Sequence, residues 1–331
     1  MSSNLPFVHR FHAMTVPCEV QILSMDLANF PKASATAIAT EIEQNTRRLE
    51  DKYNFYCDDS WLTQHINQRA SCDVELDSES AEVFQHLDRL SQLTFDTFDT
   101  TVGSIKHLLK QKPKMLHSHA FQALSSALGK QAWELKGTMD QKGAVDRQGT
   151  VGLQGTLDLQ GTLDLQRTRL HVPDSRTRFD FGGVIKEYAV DQAVAIGKQL
   201  GATSMLVNFG GDIYALGTKP DGSAFNIAVL DPRDNKTPFF AVPLTDAALT
   251  TSAHSERQVQ FGDKTTSHIL SKQDVEQKIL SVTAISSSTL EAGVLSTSLT
   301  LNPNISVPED SAVIYIDDQL HIHQNTEFLH P

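Results

Sequence analysis

Paired glycines occur twice in this chain beside polar or charged side chains, and the first setting suits an anionic ligand. In Asp180-Phe-Gly-Gly-Val-Ile-Lys-Glu-Tyr-Ala-Val-Asp191 a strand-like run ends at Gly182 and Gly183, and an apolar-periodic stretch of helical spacing follows. Glycines at a helix start let backbone N–H groups approach an anion, and the positive end of the helix dipole favours negative charge there. Lys186 stands in the first turn and could reach the same anion. A tight turn explains the glycines equally well without any ligand. The spacing is that of neither a P-loop nor a dinucleotide fingerprint. In Val207-Asn-Phe-Gly-Gly-Asp-Ile213, Gly210 and Gly211 interrupt a second strand-like run. This reads as a bend or bulge in a central strand, or as a place where a ligand lies against the backbone, with Asn208 and Asp212 offering amide and carboxylate beside the gap.

A third group is Thr250-Thr251-Ser252-Ala253-His254, followed after a strand by Ser267-His268-Ile269. Hydroxyls near a histidine invite a hydrolase reading. A nucleophile elbow, however, has glycine on both sides of its serine, and none stands here. Histidine suits proton transfer near neutral pH, but a chain with 13 histidines must use most of them structurally.

The elements that must position these groups follow from periodicity. Residues 14–23 alternate as a strand, 32–51 look helical, and apolar residues at Val83, Leu87, Leu90 and Leu93 mark a helix from Ser78 that breaks near Phe98-Asp99-Thr100-Thr101 before about Lys110. A strand-like run precedes Phe181. The helix after Gly183 carries Ile185, Ala189, Ala193 and Ile196 and stops at Gly201. Strands are expected at 204–216, 224–230, 257–270 and 279–286, a helix at 289–299, and a closing hairpin around Asp317-Asp318-Gln319. Strands and helices intermix without a strict βα alternation, so the fold class is α+β rather than a doubly wound sheet. Residues 148–166 hold a hexapeptide repeat, Gln-Gly-Thr-Leu-Asp-Leu and its variant, which reads as a tandem duplication extending a loop or hairpin insertion at about 140–168, or else as an interaction element, inside one domain spanning 1–331.

Composition excludes several classes of partner. With 28 basic against 40 acidic residues in 331 the net charge is −12, and no basic stripe appears, which argues against nucleic acid. No apolar run approaches the ~20 residues that span a bilayer. The opening residues lack the pattern of an export signal, and Cys18, Cys57 and Cys72 show no metal-ligand spacing. Reduced thiols and a cytoplasmic location are the expectation.

Taken together and in order, these segments resemble the ApbE family of FAD:protein FMN transferases. His12-Ala-Met-Thr-Val-Pro-Cys-Glu-Val20 is similar to the family's opening Met-Gly-Thr strand, and Tyr56, Ser60, Leu62 and Asn67 match its Tyr-x-x-x-Ser-x-Leu…Asn element. Thr94, Phe98, Asp99 and Thr101 resemble its Thr…Phe-Asp-Pro-Thr stretch, with Thr100 in place of proline. Asp180–Asp191 reproduces Asp-x-Gly-Gly-x-x-Lys-Gly-Tyr-Ala-x-Asp except that Glu187 replaces a glycine. Asn208–Asp212, Asp231-Pro232, Thr251-Ser252 with Glu256-Arg257, and His268-Ile269 follow in the family's order.

The resemblance implies an ApbE-like (T-fold-related), two-lobed single domain with FAD in its cleft. Such an enzyme moves FMN from FAD to a threonine of a target flavoprotein and releases AMP, with Mg²⁺ near the pyrophosphate. By motif the implied flavin-binding residues are Met14, Tyr56, Asp99, Gly182, Gly183, Lys186, Asn208, Gly210, Gly211, Asp212, Thr251 and Ser252. The implied base is His268, and the implied metal ligand is Thr297.

The metal-side motif departs from the pattern. The family's Ala-Asp-x-x-x-Thr corresponds to Ala292-Gly293-Val294-Leu295-Ser296-Thr297, so glycine replaces a charged ligand. Glu291 and Asp191 are the carboxylates considered as substitutes, although Glu291 lies ~200° around a regular helix from position 293. The expectation is a high Mg²⁺ requirement relieved by Gly293→Asp. The alternative is a catalytically weak flavin-binding protein acting as carrier, sensor or scaffold.

Overall fold

The computed structural model describes residues 6–32, 34–113, 115–137, 168–234, 236–253, 258–261, 264–267 and 279–324. The hexapeptide repeat, His254, Glu256-Arg257 and His268-Ile269 lie outside the described residues.

The chain opens with a hairpin, β1 (Phe7–Ala13) and β2 (Val16–Met25), where the sequence suggested one strand. Its turn residues Met14 (φ 51) and Thr15 (φ 65) are both left-handed, the hand that matches the twist of a two-residue hairpin. For a β-branched threonine that conformation is strained, so composition did not advertise the turn. Helix α1 (Ala35–Tyr53) follows, then β3 (Asp73–Glu75), α2 (Ser78–Leu93), α3 (Gly103–Gln111), α4 (His117–Ala123), β4 (Glu134–Lys136) and β5 (Arg169–His171). The break expected near residues 98–101 separates α2 from α3. The Asp77 carboxylate caps α2 by accepting from the Ser80 N–H at 2.9 Å. The strand-like run toward Phe181 is strand only at β5.

The rest is α5 (Ile185–Gln199), β6 (Ala202–Phe209), β7 (Asp212–Leu216), β8 (Phe225–Leu230), β9 (Pro238–Leu244), β10 (Ala247–Ala253), β11 (Gln258–Phe261), β12 (Lys264–Ser267), β13 (Ile279–Ser286), α6 (Thr289–Leu301), β14 (Ala312–Asp317) and β15 (Ile322–Gln324). The α+β class stands. A fully antiparallel sheet runs β1-β2-β6-β7-β10-β13-β14-β15.

Strand alternation covers both faces of this sheet. Tyr214 and Leu216 of β7 pack with Ile42, Leu49, Tyr188, Ala193 and Leu295 from α1, α5 and α6. Their neighbours Ile213 and Ala215 point the other way, onto Phe225, Ile227, Val242 and Leu244 of the β8–β9 hairpin. Every residue of β7 is therefore buried. Helix α6 is buried along its length from Thr289 to Thr300, so it shows no amphipathic stripe.

Candidate functional site

The segment leading into α5 is held by aromatic packing and by one amide. Phe179 and Phe181 meet the Phe84 ring edge-on, with centroids 5.2 and 5.4 Å apart. The Asn67 side chain donates to the Phe179 carbonyl (2.9 Å) and accepts from the Phe179 N–H (2.7 Å), supplying the backbone partner that a neighbouring strand would give. Asp180 is thereby fixed with its carboxylate 2.5 Å from Lys106 Nζ and 2.8 Å from the Gly182 N–H it accepts. Burial works against the Lys106 charge, but Asp180 and Tyr56 outweigh it and raise its pKa. Tyr56 itself is 74 % exposed, a ring on the rim above this pair. Phe98 lies 3.6 Å from where a Gly183 side chain would start. Beside it, Asp99 accepts from the Thr101 and Gly129 N–H groups at 2.8 and 2.9 Å, holding its own loop closed.

The second glycine pair is a hairpin turn rather than a bend or bulge within one strand. Gly210 (φ 60) and Gly211 (φ 97) join β6 to β7 in the left-handed region, and a Cβ on Gly210 would come within 2.7 Å of Val16. Asn208 Oδ1 accepts from the Gly211 N–H at 2.9 Å, and the Gly210 N–H donates to the Pro17 carbonyl at 3.0 Å. The Met14–Thr15 turn and the glycine turn therefore stand side by side at one end of the sheet. Thr251 and Ser252 reach the same end, because Leu249 of β10 pairs with Ile213 of β7.

Two helices present side chains to that end. Lys186 in the first turn of α5 forms an ion pair with Asp212 at the start of β7, and its Nζ lies 3.9 Å from Glu187 Oε1. From α6, Thr297 Oγ1 is 3.2 Å and Ser296 Oγ is 2.9 Å from Ser252 Oγ. Thr251 Oγ1 meets Thr283 Oγ1 at 2.9 Å. Gly293 sits one turn before Thr297 and faces Glu187: a Cβ there would lie 2.6 Å from Glu187 Cγ and 3.3 Å from its Cδ and Oε1.

Neither carboxylate considered as a substitute at position 293 is available. Glu291 Oε2 accepts from Arg89 Nη2 at 2.7 Å. Asp191 accepts from the Thr289 and Leu290 N–H groups at 2.7 and 3.0 Å, capping α6 from the neighbouring helix. Burial pushes the Asp191 carboxyl up to about 6, against those two hydrogen bonds, which favour the ionised form. Because the folded pKa lies above the ordinary 3.8, this group's contribution is fully present below about pH 4 and is lost as the pH rises through about 6. An amide at this position does not titrate. The melting temperature of the native chain relative to Asp191→Asn should therefore fall between about pH 4 and about pH 6. A constant difference would mean that the carboxylate stays ionised in the fold.

The residues named from sequence thus gather in two connected groups. Met14, Lys186, Asn208, Gly210, Gly211, Asp212, Thr251, Ser252 and Thr297 cluster at the sheet end. Tyr56, Asp99, Gly182 and Gly183 surround the approach to α5. Lys106 was not identified from sequence, since a lysine 74 residues from its aspartate carries no local signal. Cys72, Asp73 and His171 also come together although their spacing gave no hint of it, but Asp73 is already spent on His171 Nδ1 at 2.8 Å. Among the described residues no helix is long and apolar enough to cross a membrane.

Residues 14–308 match the profile of the ApbE family. No curated protein matches the chain in sequence. Among solved structures, the ApbE protein of Thermotoga maritima is 20 % identical, with a TM-score of 0.75 and 98 % of each chain covered. The flavin transferase ApbE of Vibrio cholerae is 18 % identical with a TM-score of 0.71, covering 97 % of this chain and 96 % of that one. The flavinyl transferase ApbE of Pseudomonas stutzeri is 22 % identical with a TM-score of 0.70, covering 99 % and 98 %. At these identities the likeness establishes the fold.

Proposed function

This chain belongs to the ApbE family, and from that premise we propose that it transfers FMN from FAD to a threonine of a target flavoprotein. The threonine oxygen attacks the phosphorus of the FMN half, and the bond from that phosphorus to the oxygen bridging toward AMP breaks. AMP leaves with that oxygen, and the hydroxyl proton passes to a base, for which His268 is the candidate. The observation that carries this reading is the meeting of the glycine hairpin, the first turn of α5 and the hydroxyl face of α6, joined by the Lys186–Asp212 pair and the Ser252–Thr297 contact.

In this reading Lys186 is the cation nearest the phosphates, and Asp212 fixes its direction. The Gly182-Gly183 backbone admits the pyrophosphate, and Tyr56 and Asp99 border the flavin. A divalent ion such as Mg²⁺, when bound, spreads the developing charge over the phosphate oxygens. The residues present fit such an ion: Thr297 offers a hard oxygen, and a buried carboxylate oxygen nearby has no hydrogen-bond partner among the described residues. A cytoplasmic setting, with reduced thiols and no membrane or nucleic-acid partner, accords with the composition.

Gly293 favours a second reading, a weak or inactive flavin binder. One experiment separates the two. The purified chain is incubated with FAD, Mg²⁺ and a flavoprotein bearing an acceptor threonine, with and without EDTA. In-gel flavin fluorescence and AMP release that vanish with EDTA are the expected result. FAD retained intact, with no AMP, would favour the binder.

A further inference from the structure

Glu187 is an acidic side chain in an unusual place. It lies in the first turn of α5 and is 2 % exposed, and its Oε2 is buried without a hydrogen-bond partner among the described residues. Buried carboxylates are ordinarily hydrogen-bonded, paired, or bound to a metal. The nearest cation, Lys186, stands 3.9 Å from the other oxygen and is already committed to Asp212. Gly293, opposite Glu187, stands one turn before Thr297, whose hydroxyl lies 3.2 Å from that of Ser252.

The room that Glu187 occupies is made by Gly293. A side chain at 293 would begin 2.6 Å from Glu187 Cγ and would run through the space where its carboxyl lies. The two departures from the family pattern, an acid where glycine is expected at 187 and a glycine where an acid is expected at 293, therefore face one another across α5 and α6.

We propose that Glu187 is the carboxylate ligand of a divalent cation at this site, acting from α5 beside the Thr297 hydroxyl on α6. The inference rests on the transferase reading for the place of the ion, and on the orphan oxygen for the identity of the ligand. Carboxylate and hydroxyl oxygens select a hard ion, Mg²⁺ or Mn²⁺.

The test is Mn²⁺ binding, followed by electron paramagnetic resonance on the full chain with and without FAD, beside FAD binding measured in EDTA. Glu187→Gln keeps the shape and removes the charge. It should weaken Mn²⁺ by roughly tenfold or more while FAD affinity in EDTA stays within about threefold of the native chain's. The double variant E187G/G293D places the carboxylate on α6 instead and should recover tight Mn²⁺. Unchanged Mn²⁺ affinity in Glu187→Gln would overturn the proposal. So would a native chain that binds no Mn²⁺ in either condition. A native chain that binds Mn²⁺ through Glu187 but takes no FAD would sink the transferase reading alone.

Discussion

Asp212→Ala is expected to destabilise the fold by about 3 kcal/mol, because it removes one partner of a nearly buried ion pair and strands the other. The Asp212 side chain is 7 % exposed and that of Lys186 17 %, so water offers the abandoned ammonium little compensation. Glu187 Oε1, 3.9 Å from the ammonium, takes up part of the charge, which keeps the loss near the lower end for a broken buried pair. From the Asn208-x-Gly-Gly-Asp212 motif alone, Asp212 reads as a flavin contact whose loss weakens flavin binding more than it lowers fold stability. The structure makes it a structural anchor as well, fastening α5 to the start of β7. Chemical denaturation of the native chain, Asp212→Ala, Lys186→Met and the double variant measures the coupling. The double variant should lose less than the two single losses added together. Additive losses, or an Asp212→Ala chain as stable as the native one, would show that the pair contributes nothing to the fold.

What could be read in the sequence was whatever repeats locally. The helix over Ile185–Gln199, the break between α2 and α3 and the hairpin at Asp317 all announce themselves through periodicity or turn residues. The β1–β2 turn did not, because Met14 and Thr15 are poor left-handed residues held there by the neighbouring strands. The connection from β9 to β10 carries no turn signal for a related reason: Asp246, at φ 48, turns the chain from the β8–β9 hairpin into the large sheet without a glycine. In the site, motif spacing located the glycine turns and Lys186, since those lie within single segments. It could not show that Asp191 is a helix cap, that Glu291 belongs to Arg89, or that Glu187 fills the space beside Gly293. Each of those contacts joins residues about a hundred or more positions apart.

That last contact reverses an expectation about Gly293→Asp. Read as sequence, the change restores a metal ligand and replaces glycine in a helix by a residue with a few tenths of a kcal/mol better propensity. In the structure α6 is buried on every side at this level, and the new Cβ would lie 2.6 Å from Glu187 Cγ. Overpacking of this kind costs about 1–3 kcal/mol, more than the propensity gain. Two carboxyl groups would then share one buried space, which forces one of them to keep its proton to higher pH. Gly293→Asp should therefore lower stability by about 2 kcal/mol or more, while Gly293→Ala, which adds bulk without charge, should lose less. The electrostatic part has its own signature. A carboxyl whose folded pKa is raised stabilises the fold less as the pH rises, so the deficit of the Asp variant against the Ala variant should widen from acid to neutral pH. Thermal melts of the three chains across that range check it. A Gly293→Asp chain as stable as the native one at neutral pH, with faster FMN transfer, would mean that Glu187 swings clear, and that residue 293 rather than 187 is the better seat for the ligand.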